Sequence, residues 1–285
     1  MTRYLAVLIW PVGMAVIFGA AVFASRANPD LPTEWAGHQS HRARAGSPIA
    51  AAGTGSVRFL VVALVGSVVA FAVMALLGLL VVNHGLTIDK PIFNWVQGHH
   101  VHLVKAAMER LTKIGDTWTT WGAAFAAAVC LAVTWRDRRW LPPVALAALI
   151  VIDHFTTLAL RHVFHRVGPP TSPLGTYPSG GAERCIVFYG LIAYLLWREF
   201  SGQRRFAIWA AAAVAALGFN EAFSRVYLSL HWFTDALSGL LYGALMLAGF
   251  IIAVRAVAGR ARAPRSAAAE SQVAVATSPS EGPVA

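Results

Sequence analysis

Apolar residues fall in long runs separated by short charged stretches, and most of these runs have the length of membrane-spanning helices rather than of strands. Spans are predicted at about 4–25, 59–82, 118–135, 141–160, 184–197, 206–223 and 232–257. The run at 184–197 is short by its apolar core alone and needs its flanks to reach across a bilayer. Between the second and third runs, residues 84–117 are polar and aromatic. Val101, Val104, Met108, Leu111 and Ile114 recur there at helical spacing, with Lys105, Glu109, Arg110 and Lys113 on the other side, which predicts an amphipathic helix on the membrane surface. The first run has two readings, a retained span or a signal sequence cut among the small residues near Ala24, and the retained span is favoured.

This pattern divides the chain into an N-terminal transmembrane helix at 1–26, a flexible Pro-, Gly- and Ser-rich linker at 27–57, a membrane domain at 58–258 and a disordered tail at 259–285. The expected fold class is all-α, a polytopic helical bundle. Composition agrees: 57% hydrophobic and 13% charged residues exclude an ordinary soluble domain. The net charge of +10 raises the question of nucleic acid. The arginines lie in short clusters between the apolar runs, however, which is a topology signal, so no nucleic-acid partner is expected.

With seven spans, Arg26, Arg42, Arg44 and Arg58, then Arg136, Arg138 and Arg139, then Arg198, Arg204 and Arg205, and finally Arg255, Arg260, Arg262 and Arg265 all fall on one side. That side is the expected cytoplasmic one, with the C-terminal tail, in a multi-pass protein of the cell membrane. Cys130 and Cys185 lie in or beside apolar runs and read as packing residues. His99, His100 and His102 lack a carboxylate or cysteine at ligand spacing, so an interfacial cluster is favoured over a metal site.

Chemistry concentrates in two stretches on the opposite, extracytoplasmic face. The first, Ser224-Arg225, five residues, His231, three residues, Asp235, joins two apolar runs. On a helix that includes His231, Asp235 sits one turn later on the same face, where it would orient the imidazole and leave the other ring nitrogen as nucleophile or base. Arg225 offers a fork suited to phosphate and Ser224 a hydroxyl. A salt bridge capping a membrane helix is the plainer reading. The second stretch runs from Arg161 to Pro170 and on to Tyr177-Pro178-Ser179-Gly180-Gly181-Ala182-Glu183-Arg184. Ser179 suits an N-cap, and consecutive glycines let backbone N–H groups approach an anion, although the same residues make ordinary turns.

Taken together these residues resemble the type-2 phosphatidic acid phosphatase superfamily, whose pattern is Lys, six residues, Arg-Pro; then Pro-Ser-Gly-His; then Ser-Arg, five residues, His, three residues, Asp. The third motif is complete at Ser224, Arg225, His231 and Asp235. In the first, Arg161 stands for the lysine, Gly168 for the arginine, and Pro169 matches. In the second, Pro178, Ser179 and Gly180 match, while Gly181 stands for the histidine.

The resemblance implies a six-helix lipid-phosphatase-like core plus the N-terminal span, His231 as a nucleophile that becomes phosphohistidine, and Asp235 as its orienter. It implies phosphate binding by Arg161, Ser179, Gly180, Gly181, Arg225 and Ser224, a membrane lipid as substrate, and neither metal nor cofactor. Gly168 removes a guanidinium and Gly181 the general acid. Arg166, Glu183 and His165 are the candidate substitutes, with His162 beside them. Glu183 is alternatively a partner of Arg184 or another arginine. Loss of the acid costs about 10²–10⁴ in rate when an alkoxide leaves. A lipid monophosphate leaving from a diphosphate is a far weaker base, so a polyprenyl diphosphate is the favoured substrate. The alternative function is non-catalytic binding or transport of phospholipid or polyprenyl phosphate. Asp153 and His154 are expected beneath the site, and Glu221 is placed to hold Arg225 by an i,i+4 pair.

Overall fold

The structure is a computed structural model that describes residues 5–27, 48–135, 138–170, 172, 176–201 and 203–258. The expected tail at 259–285 and most of the expected linker lie outside the described residues. Every described element is a helix: α1 (Leu5–Ala27), α2 (Pro48–His84), α3 (Leu86–Gly98), α4 (His102–Leu111), α5 (Thr117–Thr134), α6 (Leu141–Phe164), α7 (Gly180–Leu196), α8 (Arg204–Tyr227) and α9 (Phe233–Ala258). A 3₁₀ turn, Thr112–Gly115, leads into α5, and a π turn, Trp197–Ser201, follows α7. All seven expected spans are present as helices. Five of them are long and apolar enough to cross a membrane by themselves. The fifth expected span gains the length it needed from its flanks: α7 starts at Gly180 and the π turn carries it on to Ser201.

One expectation changes: helix α2 begins at Pro48, inside the segment expected to be a flexible linker. The helix expected over Val101–Ile114 is present as α4 and the 3₁₀ turn after it, and a further helix, α3, precedes it. Met108 of α4 and Val96 of α3 bury against Tyr227 at the end of α8, so this pair covers one end of the bundle.

The bundle exposes apolar residues on its outer face and buries several carboxylates beside an apolar core. Leu64, Val68 and Leu76 of α2, Phe125 and Val133 of α5, and Leu241 and Ile252 of α9 are exposed, whereas Asp89, Asp153, Glu183, Glu221 and Asp235 are buried. This arrangement suits lipid as the outer solvent. Small residues set the closest crossings. A Cβ on Gly66 of α2 would lie 2.9 Å from the Cα of Gly249 on α9. A Cβ on Gly239 would lie 2.3 Å from the Ser179 carbonyl oxygen, and one on Gly243 2.5 Å from that of Glu183. These two α9 glycines, four apart, let the first turn of α7 press against α9 beside His231. Helix α1 packs on α8, where the Trp10 indole donates to Asn220 at 3.1 Å.

Candidate functional site

At the end of the bundle covered by α3 and α4, three chain segments meet: the loop from α6 into α7, the start of α7, and the turn between α8 and α9. His231 lies in that turn, two residues before α9 begins at Phe233. Its Nδ1 is 2.9 Å from the carbonyl oxygen of Thr176. A carbonyl only accepts, so Nδ1 carries the proton and the Nε2 lone pair is left free for chemistry. Among the described residues Nε2 has no hydrogen-bond partner. Burial, then the charges of Arg225 and Arg161, push the His231 pKa down from 6.5 to about 3, against the opposing Thr176 hydrogen bond; Arg184 adds to the depression. The ring is therefore neutral across the physiological range.

Asp235, expected to orient this ring, stands 4.0 Å from Nδ1, beyond hydrogen-bond reach. The helix starts after His231, so the two do not stack on one helical face. Asp235 instead accepts the Trp232 N–H at 3.3 Å, one arm of a capping box for α9, and pairs with Arg166. The orienting partner is the Thr176 backbone, which residue type could not reveal.

Arg166 was a candidate replacement for the missing motif arginine. It is buried and held on both sides, by Asp235 and by Asp89 at 2.5 Å, and it donates to Thr234 at 2.9 Å. Asp89 also accepts the Thr234 N–H at 2.9 Å, so this network fixes the start of α9 to α3. Arg166 is thus a strut between three segments rather than a free phosphate ligand. Position 168 itself is closed: a Cβ there would meet Thr176 Cγ2 at 2.5 Å and Ser172 Cβ at 2.8 Å.

Arg225 makes the expected pair with Glu221, Nε to Oε1 at 2.6 Å, and a second with Asp116 at 2.9 Å. The carboxylate of Glu221 also fills the space that a side chain at 181 would need, since a Cβ on Gly181 would lie 2.4 Å from Glu221 Oε1 and 2.9 Å from Arg225 Nε. Ser224, expected to face phosphate, donates its hydroxyl to the Glu221 carbonyl at 2.8 Å within its own helix, because i to i−3 is the nearest acceptor for a buried hydroxyl.

Ser179 is at the N-cap of α7, as expected, but its hydroxyl does not cap. Its Oγ is fully buried without a partner, while its N–H donates to the Asp235 carbonyl at 3.0 Å. An unpaired hydroxyl among the free N–H groups of Gly180 and Gly181 is a ready anion site. Arg161 of α6 and Arg184 of α7 reach Gly180 from either side: a Cβ there would be 3.0 Å from Arg161 Nη2 and 3.0 Å from Arg184 Nη1. Arg161 Nε is buried without a partner.

Glu183 points away from this anion site. It accepts the Thr157 hydroxyl at 2.9 Å and faces Asp153, about two turns before Arg161 on α6. It is not paired with Arg184, contrary to the expectation, because at adjacent positions the two side chains leave α7 in different directions. Asp153 lies under the site as expected. His154 does not: it is exposed against Trp121 and Phe155. His162, in the last turn of α6, and His165, just after it, are exposed too, their rings 6.1 Å apart. His99 and His100 are taken up by the carbonyls of Trp95 at 2.6 Å and Tyr227 at 2.8 Å. Sequence reading gave no site role to Asp89, Asp116, Thr176 or Arg184. Only Asp89 carried a signal, a carboxylate in an apolar-flanked segment with no local partner.

Comparison with known proteins agrees with this arrangement. The sequence profile of the PAP2 superfamily matches residues 146–258, from within α6 to the end of α9. The fold is similar to the crystal structure of a transmembrane PAP2 type phosphatidylglycerolphosphate phosphatase from Bacillus subtilis, with a TM-score of 0.57 and 19% identity over 66% of this chain and 93% of that one. No curated protein matches the chain.

Proposed function

Because residues 146–258 match the PAP2 superfamily profile and the fold is similar to that of a transmembrane PAP2 type phosphatase, we propose that the chain is a phosphatase or phosphotransferase that removes the terminal phosphoryl group of a lipid diphosphate through His231. The observation that carries this reading is the neutral His231, Nδ1 held by the Thr176 carbonyl and Nε2 free, beside the unpaired Ser179 hydroxyl and the start of α7. Nε2 attacks phosphorus, an N–P bond forms, and the bridging P–O bond breaks with its electron pair leaving on the lipid monophosphate. The phosphoryl oxygens rest on Arg161, the Ser179 hydroxyl and the Gly180 and Gly181 N–H groups, with the Arg225 charge nearby. As the ring gains charge on phosphorylation, the Asp235 carboxylate 4.0 Å away stabilises it. Water then displaces the histidine and releases inorganic phosphate; an acceptor alcohol in its place gives transfer.

The substrate class follows from Gly181. No acid stands where the family pattern has histidine, so a leaving group that departs unprotonated is favoured, and a polyprenyl diphosphate meets that need. Arginine clustering on the opposite side supports an extracytoplasmic cleft supplied from the outer leaflet. A non-catalytic lipid-phosphate binder is the second reading, favoured by one observation: Arg225 and Arg166 are already neutralised by carboxylates.

Phosphate release by the detergent-solubilised protein separates the two readings, with polyprenyl diphosphate, phosphatidic acid and phosphatidylglycerolphosphate side by side and His231→Ala as control. Release from the diphosphate, lost in His231→Ala, is expected. Binding of all three lipids without release would establish the binder.

A further inference from the structure

We infer that Arg184 supplies the second free guanidinium of the anion site, in place of the motif arginine missing at position 168. The inference rests on the phosphate-site reading above and deepens it.

Four arginines surround the site, and two are spent. Arg166 is locked between Asp89 and Asp235, and Arg225 between Glu221 and Asp116. Position 168 cannot contribute, because its side-chain space is occupied by Thr176 and Ser172. Arg161 and Arg184 remain, and neither forms an ion pair among the described residues.

Arg184 reaches the site because side chains on a helix lean toward its N-terminus. Its Nε donates to the Gly115 carbonyl at 3.1 Å, which fixes the guanidinium plane and leaves Nη1 directed at Gly180. Gly180 makes the convergence possible, since a Cβ there would sit 3.0 Å from both Arg161 Nη2 and Arg184 Nη1. Two like charges beside the positive end of α7, next to a fully buried and unpartnered Ser179 hydroxyl, repel each other until an anion comes between them. A phosphoryl dianion satisfies all of these groups. A carboxylate would satisfy only part of them.

The test uses the whole protein in detergent with inorganic pyrophosphate as the probe. Wild-type protein is treated with phenylglyoxal with and without pyrophosphate, and modified arginines are located by mass spectrometry. Arg161 and Arg184 should both be modified in the free protein and protected by pyrophosphate, with Arg166 unmodified throughout. Protection of Arg161 but not Arg184, or an Arg184 that never reacts, overturns the inference and leaves the phosphate site standing. Protection of neither overturns both. In parallel, Arg184→Gln keeps an amide donor for the Gly115 carbonyl while removing the charge. It should bind pyrophosphate about 10- to 100-fold more weakly, the loss expected for one charge-assisted contact. Unchanged affinity would contradict the assignment.

Discussion

Placing at position 181 the histidine of the pattern the chain resembles should harm this protein rather than improve it. In Gly181→His the new Cβ starts 2.4 Å from Glu221 Oε1 and 2.9 Å from Arg225 Nε, so the ring cannot enter without parting a pair held at 2.6 Å. Glu221 is fully buried and also accepts the Thr112 hydroxyl at 3.2 Å, which leaves it little room to swing aside. Breaking a buried pair by displacing one partner costs about 3–5 kcal/mol. For a domain of this size that lowers the melting temperature by about 6–20 °C. Removing the obstruction should reverse much of this. In Gly181→His/Glu221→Ala the carboxylate is gone, and Arg225 keeps its contact with Asp116 at 2.9 Å. The double variant should melt above Gly181→His alone, a positive coupling of about 0.5–3 kcal/mol in a double-mutant cycle. The assay is a thermal melt of the four purified proteins in one detergent, with phosphate release measured on the same samples. A Gly181→His protein that melts with the wild type and gains turnover on phosphatidic acid would refute the reasoning, because position 181 would then be open.

Other consequences follow from the same geometry. His231 must be neutral to attack, and with its pKa near 3 turnover should persist at pH 5, where an ordinary imidazole of pKa 6.5 is mostly protonated; an acid limb centred near 6.5 in a pH–rate profile would contradict the buried ring. The linked stability runs the other way. The unfolded chain takes up the proton first, so His231 should destabilise the fold by about 1.4 kcal/mol per pH unit as pH falls from 6.5 toward 3, measurable by comparing wild-type and His231→Ala melts across that range. Arg166→Ala leaves Asp89 and Asp235 buried and unpaired and should cost about 3–5 kcal/mol, seen as lost yield and a lowered melt rather than as a raised KM alone. Gly239→Leu places atoms where the Ser179 carbonyl lies 2.3 Å from a Cβ, and should lose about 1–3 kcal/mol or more together with activity, since it pushes the start of α7 away from His231.

Much of the fold is legible in the apolar runs, because lipid forces each crossing segment to satisfy its own backbone, and a helix is then the local answer. The short run before Trp197 could be placed because its flanks, Gly180 and the residues to Ser201, extend it. The Glu221–Arg225 pair was readable for a similar reason, as an i,i+4 contact within one helix. The partners of Arg166 were not, since Asp89 lies on a different helix far earlier in the chain and its pairing depends on how α3 folds over α9. The role of Thr176 was hidden more deeply, because its backbone carbonyl holds His231 and any residue type supplies a carbonyl. Gly168 and Gly181 read in sequence as losses. In the structure the side-chain space at both positions is occupied by neighbours, Thr176 and Ser172 at the first and Glu221 at the second.

The central claim is that His231 is the nucleophile, and trapping its phosphorylated form tests it most directly. Wild-type protein mixed with a terminally labelled polyprenyl diphosphate and quenched within one turnover should carry an acid-labile, base-stable phosphoryl group that peptide mapping places on His231. The same experiment on His231→Ala should trap nothing. Phosphate release without label on the protein, or label on any residue other than His231, would contradict the account.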